Sequence, residues 1–551
     1  MSLFLKAQQL RDGKNRSPGK ALSIVSLMLF LVAVFSAAIV PINSHDFWWH
    51  LVTGEYILHF QKLPDQDPFT YTSMPDDPDY PGRPLFVLRQ FWLSQVLYAL
   101  VHNAFGLPGV IIARGLLYCA IAMTVLFIVA ARPGAGISPA PLVLFCLATR
   151  TALEDSDRPQ TFSFLFALLL IAVVEWAIRK KKKWPLFLNI PIMAVAANMH
   201  GGYVVGVVLL CVYLVFIPFE ERLRPLRGAL FASTLLALLA SYFNPNQWKV
   251  FGEVFSMVQA PLYVSTIQEY LSPLKILPHT LSNPGWLAYW MLVLLSIFAA
   301  LYFFGKRRYS EATLLLITLG ASLYGMRFTY FFIPLGSAFT ALFLQEAFFS
   351  RINKRTVIDA VAIPLFLFAL LFRPGHPNNL GLKVILRGMS YPVSAAAFIS
   401  REGLPQPVFN DMLWGGYLEW RLWPAYRMFI DTRQLINRTY ADYLAIMYGP
   451  QGIRLLNAYG AATVITSGID PYAGQIIPLV RNLYHDDEWS LVYRDGQAVV
   501  FVRRILAAHE LPKKEVYEEV LAEAAYWRRF FPWVTAYEAT IAEAENAIES
   551  P

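Results

Sequence analysis

The stretch that decides the fold is LSIVSLMLFLVAVFSAAIVPI (residues 22–42), followed directly by NSHDFWWH (residues 43–50). The first segment carries no charge and is long enough to cross the roughly 30 Å hydrocarbon core of a bilayer as a helix. The acid of the second segment, Asp46, therefore comes at the depth of a membrane interface. Tryptophan is common there as an anchor, whereas an ionisable side chain that faces the membrane interior marks a functional site. Asp46 is thus the first candidate for chemistry.

Composition assigns the chain to a membrane. Of its 551 residues, 56% are hydrophobic and only 15% are charged, and its mean hydropathy of +0.44 is too high for ordinary soluble domains. The net charge of +8 could indicate a nucleic-acid partner, but the basic residues cluster at the ends of apolar segments, as in RKKKK at 179–183. Such clusters set membrane topology. We therefore expect no nucleic-acid partner.

The predicted fold is a polytopic α-helical membrane protein with about eleven transmembrane helices. The spans are predicted at residues 22–42, 107–130, 138–153, 161–178, 185–199, 203–219, 229–243, 286–304, 312–326, 330–348 and 357–372. If the basic N-terminus is cytoplasmic, the Lys and Arg residues fall in alternate loops on that side, as the positive-inside rule requires. An odd number of spans then puts the C-terminal region outside the cytoplasm.

The pattern divides the chain into three parts. Residues 1–373 form the predicted membrane domain, with a long first outer loop at 43–106 and another at 244–284; residues 91–105 predict an amphipathic surface helix. Residues 374–505 predict an extracytoplasmic α/β domain. Its strands are expected near 407–410, 427–431, 462–467, 490–493 and 498–502. Residues 506–551 predict a helical tail.

A second group of acids lies on the same predicted side as Asp46. Glu154, Asp155 and Asp157 follow the third span. Carboxylates that converge there could share a divalent cation such as Mg²⁺ or Mn²⁺, or one could serve as a general base. The alternative is a solvated turn that caps the next helix.

Histidines and tryptophans on the outer face are candidates for substrate binding. These four residues, His45, Trp48, Trp49 and His50, flank Asp46. A further histidine, His200, is instead a candidate for binding the donor phosphate, and it interrupts two apolar helices in the segment NMHGG at 198–202. Broken helices at membrane depth usually line a cavity. A lone histidine is nevertheless more often a hydrogen-bonded structural residue than a ligand, and interface tryptophans are often anchors.

Three arginines on the same predicted side could bind a phosphate. They are Arg89, Arg158 and Arg327, and guanidinium groups bind phosphate through two parallel hydrogen bonds. Snorkelling of a long side chain to the interface would explain any one of them equally well. The C-terminal domain adds polar strand-end motifs, including DTR at 431–433, which favour acceptor binding or a lid.

The order of these features resembles the GT-C superfamily of membrane glycosyltransferases. That superfamily has an acid after the first span, a long first loop with a surface helix, a second acidic outer loop and a large later outer loop. More closely, HDFWWHLVTGE (45–55), DPFTYT (67–72), RPQ (158–160), NMHGG (198–202) and WGGY (414–417) resemble a group of uncharacterised bacterial GT-C-like proteins. The likeness covers most of the chain.

The resemblance implies an enzyme of a bacterial cytoplasmic (inner) membrane. Such enzymes take a sugar from a polyprenyl-phosphate or polyprenyl-diphosphate donor and transfer it, by an inverting displacement, to a glycan, lipid or protein acceptor at the extracytoplasmic face. Asp46 matches the first-loop catalytic acid. Glu154, Asp155 and Asp157 match the second-loop acids that help to bind a divalent cation in the metal-dependent branch.

Two other functions remain open on the sequence. One is a transporter or flippase of a lipid-linked substrate, although no internal repeat is evident. The other is a non-catalytic assembly protein that acts through its C-terminal domain. Neither the acidic pair of the O-mannosyltransferases nor the tryptophan-rich acceptor motif of the oligosaccharyltransferases is intact, so the subfamily stays open.

Overall fold

The structure is a computed structural model, and it describes residues 18–73, 83–130, 139–149, 157–258, 268–348, 355–371, 391–434, 438–470 and 474–528. The chain is mostly helical, with a small C-terminal sheet. Its first helices are α1 (Pro18–Ala38), α2 (Asp46–Phe60), α3 (Arg83–Gln90), α4 (Trp92–Ala130), α5 (Pro139–Ala148), α6 (Gln160–Lys180), α7 (Asn189–Met199), α8 (Tyr203–Phe216), α9 (Arg227–Ala240) and α10 (Lys249–Val258). They are followed by α11 (Leu277–Ser282), α12 (Pro284–Gly305), α13 (Tyr309–Tyr324), α14 (Thr329–Ala347) and α15 (Arg355–Leu371).

The C-terminal part alternates helices with short strands. Its elements are α16 (Val393–Glu402), β1 (Val408–Asn410), α17 (Met412–Leu422), α18 (Arg438–Tyr448), α19 (Gly452–Ala458), β2 (Thr463–Ser467), α20 (Pro478–His485), β3 (Trp489–Arg494), β4 (Ala498–Arg503) and α21 (Lys513–Arg528). Four of the five predicted strands form, because each is a short, largely apolar run between turn residues. The fifth, predicted at 427–431, is not a strand, and Met428 makes only isolated bridges there.

Four helical segments in the described part of the chain are long and apolar enough to cross a membrane. They are Trp92–Val129, Gln160–Lys180, Gly285–Gly305 and Met326–Ala347. Shorter apolar helices lie at Leu22–Ala38, Trp184–Met199, Tyr203–Phe216 and Val361–Leu371. The chain is therefore a multi-pass membrane protein, while the count of eleven spans stays a prediction.

Helix α4 contains the break that the sequence predicts between a surface helix and a span. Gly106 adopts φ 65° and ψ −167°, which is outside the helical region and accessible mainly to glycine. Pro108 follows, and proline favours the first turn of a helix. Residues 92–105 and 107–130 are therefore two helical segments, separated close to the predicted boundary at residue 106.

Contacts between residues divide the chain into two compact units. The first comprises the described residues within Met1–Pro41 and Val101–Ile385. In it, α1 packs against α15 and α5, where Phe30 contacts the rings of Phe145 and Phe366 at centroid distances of 6.2 and 5.3 Å. Helices α12, α13 and α14 pack against one another in the same unit.

Two arginines, Arg222 and Arg308, form ion pairs with buried glutamates in the first unit. Arg222 donates to Glu220 and Glu311 at 2.7 Å each. Arg308 donates to Glu311 at 2.8 Å and to Glu346 at 2.8 Å. Because a buried carboxylate needs a partner, this network ties the start of α13 to the end of α14 and to the turn after α8.

The second unit joins Ile42–Leu100 to the described residues within Leu386–Pro551. Its sheet has the order β1-β2-β4-β3, with β1 parallel to β2 and the other pairs antiparallel. The first loop lengthens this sheet: Thr70 forms a parallel bridge with Met428, which also bridges Val408 of β1. The motif DPFTYT is thus an edge segment of the C-terminal sheet. The assignment of residues 43–106 to the membrane domain, and the predicted domain boundaries with it, stay a prediction.

Candidate functional site

Asp46 is the first residue of α2, where the peptide dipoles favour a negative charge. The N-cap residue is His45, which makes no side-chain capping bond. The Oδ1 atom of Asp46 accepts a hydrogen bond from the hydroxyl of Thr432, a residue far along the chain but in the same unit. The start of α2 therefore favours the charge of the Asp46 carboxylate, and the C-terminal part of the chain holds it by a hydrogen bond.

Three of the four predicted substrate-binding residues are buried beneath Asp46. Trp48 has no exposed surface and lies edge-on to Tyr391 and Tyr417 at centroid distances of 5.2 and 5.1 Å. Trp49 and His50 are 4% and 3% exposed, and their rings lie 3.5 Å apart. These three side chains pack α2 against its neighbours. Of the four, His45 alone is partly exposed.

Two glycines of the motif WGGY allow α17 to approach the start of α2. A Cβ on Gly416 would lie 3.0 Å from the Trp49 nitrogen, and one on Gly415 would lie 2.2 Å from the carbonyl oxygen of Ile430. Any side chain at Gly415 would therefore displace backbone. The WGGY motif thus places α17 against the segments that carry Asp46 and Thr432.

A buried ionic cluster fixes the turn that carries Thr432. Arg433 donates through Nε to both oxygens of Asp431 at 3.0 and 2.9 Å, and it pairs with Asp67 at 3.0 Å and with Glu419 at 3.2 Å. Burial raises the pKa of Glu419 well above its usual value, and the charge of Asp431 raises it further. The cluster therefore favours the protonated form of Glu419.

Arg89, a predicted phosphate-binding residue, lies at the end of α3 in the second unit. Its Nε donates to the carbonyl oxygen of Pro64 at 2.9 Å, and its guanidinium lies 3.4 Å from a carboxylate oxygen of Asp65. These contacts attach α3 to the turn after α2. Its predicted role in phosphate binding stays a prediction.

The other two predicted arginines lie together in the first unit. Arg158 forms an ion pair with Glu269, and the hydroxyl of the next residue, Tyr270, accepts a hydrogen bond from Arg327. The guanidinium of Arg327 also lies 4.6 Å from the centre of the Tyr270 ring. Within the part of the chain that the structure describes, Arg327 has no carboxylate partner. Three segments distant in sequence thus bring two cations to one place.

His200 completes this group. Its Nδ1 accepts the backbone N–H of Gly202 at 2.9 Å and lies 2.8 Å from the hydroxyl of Ser163. Because a backbone N–H only donates, the neutral ring carries its proton on Nε2. Burial lowers the pKa of His200 from 6.5 to about 3, and the charges of Arg327 and Arg158 contribute. His200 is therefore a neutral hydrogen-bond donor beside two cations, which we call the Arg158–His200–Arg327 cluster.

Asp157, a predicted metal ligand, forms an ion pair with an arginine. The carboxylate of Asp157 lies 2.5 Å from a nitrogen of Arg114, and both side chains are buried. Arg114 also donates to the carbonyl oxygens of Ala38, at 3.0 Å, and Val40. It thereby satisfies backbone groups at the end of α1, which have no partner within the helix.

The described residues do not fit a metal ion at this position. A cation at Asp157 would compete with the Arg114 guanidinium, and no group of three or more His, Cys, Asp or Glu residues converges anywhere in the described ranges. Glu154 and Asp155, the other two predicted metal ligands, lie outside those ranges. Asp46 has a hydroxyl donor, Thr432, on one of its oxygens.

Sequence reasoning missed the partners that fix the candidate residues. Arg114 lies inside a predicted span without any motif, and Glu269 and Tyr270 belong to a long outer loop that carries no recognisable charge motif. Thr432 stands out in the sequence only as part of a strand-end motif. The one available signal was an uncompensated charge: an arginine within an apolar span needs a buried partner.

Comparison with known proteins identifies the fold but no sequence family. No family model matches the chain, and no curated protein matches it. The fold is similar to that of an oligosaccharyltransferase, AglB from the archaeon Archaeoglobus fulgidus, in complex with an inhibitory peptide and a dolichol-phosphate. That likeness has a TM-score of 0.54 at 11% identity and covers 80% of this chain and 69% of the other.

Two further structures of the Archaeoglobus fulgidus oligosaccharyltransferase agree. The apo form matches with a TM-score of 0.52 at 11% identity, over 89% of this chain and 75% of that one. The complex with Zn and sulfate matches with a TM-score of 0.50 at 13% identity, over 86% and 73%. These are GT-C membrane glycosyltransferases. The GT-C resemblance is therefore confirmed at the level of the fold.

Proposed function

We propose that the protein is a glycosyltransferase that moves a sugar from a polyprenyl-phosphate or polyprenyl-diphosphate donor to an acceptor at the extracytoplasmic face of a bacterial cytoplasmic membrane. Asp46 is its catalytic acid/base. The similar oligosaccharyltransferase structure that contains a dolichol-phosphate supports a lipid-linked donor. The acceptor is a glycan, a lipid or a protein.

The observation that carries this proposal is the Arg158–His200–Arg327 cluster. The cluster brings two arginines to one place, Arg158 in an ion pair with Glu269 and Arg327 in a hydrogen bond with Tyr270. A polyprenyl-phosphate sugar is a phosphodiester, and its phosphate is an anion of the kind that arginine binds. Guanidinium groups bind phosphate bidentately, and an arginine without a carboxylate partner among the described residues suits an incoming anion.

His200 contributes a neutral donor to the same anion. Its Nδ1 accepts the Gly202 N–H, so the neutral ring carries its proton on Nε2. As the sugar departs, the bond between its anomeric carbon and the phosphate oxygen breaks, and the electron pair stays on the phosphate. Preorganised cations and donors stabilise that developing charge.

Asp46 accepts the proton that the acceptor loses. In the proposed step, the ionised carboxylate takes the proton from the acceptor's hydroxyl or amide while the acceptor atom bonds to the anomeric carbon. Fixed at the start of α2, the carboxylate does not need to reorient during the reaction.

Lipid-phosphate binding tests the first part of the proposal. The probe is undecaprenyl phosphate added to the purified protein in detergent, with bound lipid counted by native mass spectrometry. We expect Arg327→Gln to weaken binding by roughly 10- to 100-fold, the typical cost of losing a charge-assisted hydrogen-bonding pair. The matched control is Arg307→Gln, since Arg307 is exposed in the turn before α13. Equal binding by the two variants would contradict the phosphate site.

Turnover of the lipid-linked donor distinguishes a glycosyltransferase from a transporter and from an assembly protein. Proteoliposomes carry undecaprenyl-phosphate mannose or glucose labelled in the sugar, and vesicles from membranes that lack the protein supply the acceptor. Transfer predicts labelled product together with free undecaprenyl phosphate. Movement of intact donor across the bilayer without either product would instead identify a transporter. A phenotype that persists in Asp46→Asn but is lost on deletion of residues 391–528 would identify an assembly protein.

A further inference from the structure

The hydroxyl of Thr432 links the C-terminal part of the chain to Asp46. Its Oγ1 donates a hydrogen bond to Oδ1 of Asp46, across a sequence separation of 386 residues. We propose that Thr432 is a positioning residue for Asp46, an inference that rests on the proposed function. The hydroxyl holds one carboxylate oxygen and thereby fixes the orientation of the carboxylate that receives the acceptor's proton.

The backbone around Thr432 is fixed on its N-terminal side by an asparagine. The side-chain oxygen of Asn410 accepts the N–H groups of Phe429 and Ile430 at 2.8 and 3.3 Å, and its Nδ2 donates to the carbonyl oxygen of Ile430 at 2.8 Å. Asn410 is fully buried at the end of β1. The segment that leads to Thr432 is therefore attached to the sheet by three hydrogen bonds to one side chain.

The C-terminal side is fixed by the ionic cluster. The backbone N–H of Arg433 donates to the carboxylate of Asp431 at 2.6 Å, and the Arg433 side chain reaches Asp67 of the first loop. Thr432 lies between these two buried residues in a short 3₁₀ turn, Thr432–Gln434. Because buried residues hold the backbone on both sides of Thr432, its side chain loses little further conformational entropy when it forms a hydrogen bond with Asp46.

The chemistry of a hydroxyl suits this role better than that of a cation. A donated hydrogen bond favours the ionised form of a carboxylate, which is the form that acts as a base. It does so without a full positive charge, which would stabilise the carboxylate so strongly that it would become a weak base. The bond also restricts rotation of the carboxyl group, and misplacement of a reacting group by about 1 Å can lower a rate by about 100-fold.

The test compares three variants in the full-length protein in proteoliposomes. Thr432→Val has nearly the same shape but no hydroxyl, Thr432→Ser keeps the hydroxyl, and Thr466→Val is the matched control. Thr466 is buried in β2, and its hydroxyl has no hydrogen-bond partner among the described residues. The measurement is the initial rate of undecaprenyl phosphate release from undecaprenyl-phosphate mannose or glucose, taken across a range of pH.

For Thr432→Val we expect kcat to fall by roughly 10- to 100-fold, since a hydrogen bond to a charged group is lost. The acidic limb of the pH–rate profile should move up by about one pH unit, because the protonated form of Asp46 is then less disfavoured. KM for the donor should change by less than about twofold, because Thr432 is not part of the Arg158–His200–Arg327 cluster. Thr432→Ser should recover most of the rate, and Thr466→Val should match the wild type.

The outcomes separate this inference from the proposed function. If the wild type turns over donor, Asp46→Asn does not, and Thr432→Val keeps both its rate and its pH profile, the positioning role is wrong while the function stands. A rate for Thr432→Ser as low as that of Thr432→Val, at an unchanged melting temperature, overturns the role in the same way. A wild type that releases no undecaprenyl phosphate overturns the proposed function, and this inference with it.

Discussion

Gly415 is the residue at which the packing of the second unit can be tested most sharply. A Cβ at this position would lie 2.2 Å from the Ile430 carbonyl oxygen and 2.7 Å from the Cα atom of Asp431, and both of these atoms belong to the backbone. Real Cβ atoms essentially never approach within 3.0 Å, so Gly415→Ala must separate α17 from residues 430–431 by about 0.8 Å. Because Thr432 follows directly, the same shift moves the hydroxyl that donates to Asp46.

Gly415→Ala should lower the stability of the second unit. Inserting a methyl group into a close-packed site costs about 1 to 3 kcal/mol, and for a unit of this size each kcal/mol lowers the melting temperature by roughly 2 to 4 °C. We therefore expect Gly415→Ala to melt roughly 2 to 12 °C below the wild type. A shift approaching 1 Å at the reacting group should also lower donor turnover by about 100-fold.

The assay follows intrinsic tryptophan fluorescence during heating in detergent, since Trp48 and Trp49 are buried beside the affected contact. The matched control is Gly496→Ala, because Gly496 is exposed in the same unit and a Cβ added there would meet no atom of the described residues within 4 Å. Its melting temperature should stay within about 2 °C of the wild type. Equal melting of the Gly415 and Gly496 variants would refute the close approach of α17.

Two further outcomes follow from buried charges. Arg114→Gln should destabilise the protein by about 3 to 5 kcal/mol, because it leaves the buried Asp157 carboxylate without its cation. Adding Asp157→Asn should recover part of that loss in the double variant. If the two changes lower the melting temperature additively, the ion pair does not contribute to stability. Burial raises the pKa of Asp411 from 3.8 to about 6, so its stabilisation is fully present below about pH 4 and is lost as pH rises through about 6. Asp411→Asn, which keeps the N-cap acceptor of α17, should therefore be more stable than the wild type at pH 7.5 by about 3 kcal/mol, and stability that falls instead would refute this sign.

The sequence predicted those features that depend on local pattern. Apolar runs located the main spans, Gly106 marked the break in α4, and short β-branched runs located the strands of the C-terminal sheet. Each of these signals lies within about 20 neighbouring residues, where hydrophobic periodicity and turn chemistry operate. The grouping of Arg158 with Arg327 was also suggested by pattern, since the positive-inside rule puts both on one side of the membrane.

The sequence could not predict contacts between distant segments. Residues 42–100 join the C-terminal part through Asp67, Thr70 and the glycines of WGGY, and nothing local in these motifs names the partner. The sequence also could not predict which tryptophans are buried. A tryptophan can be an anchor at the membrane interface or a core residue, and only the packing shows that Trp48 is a core residue.

The most direct test of the proposed activity is donor turnover by Asp46→Asn in proteoliposomes, measured as undecaprenyl phosphate released from undecaprenyl-phosphate mannose or glucose. The matched control is Asp65→Asn, the same change at an exposed acid of the first loop. Loss of a catalytic acid/base should lower the rate of Asp46→Asn by roughly 100- to 10,000-fold at an unchanged melting temperature, with the control at the wild-type rate. An Asp46→Asn variant that turns over donor as fast as the control would contradict the assignment of Asp46 as the catalytic residue.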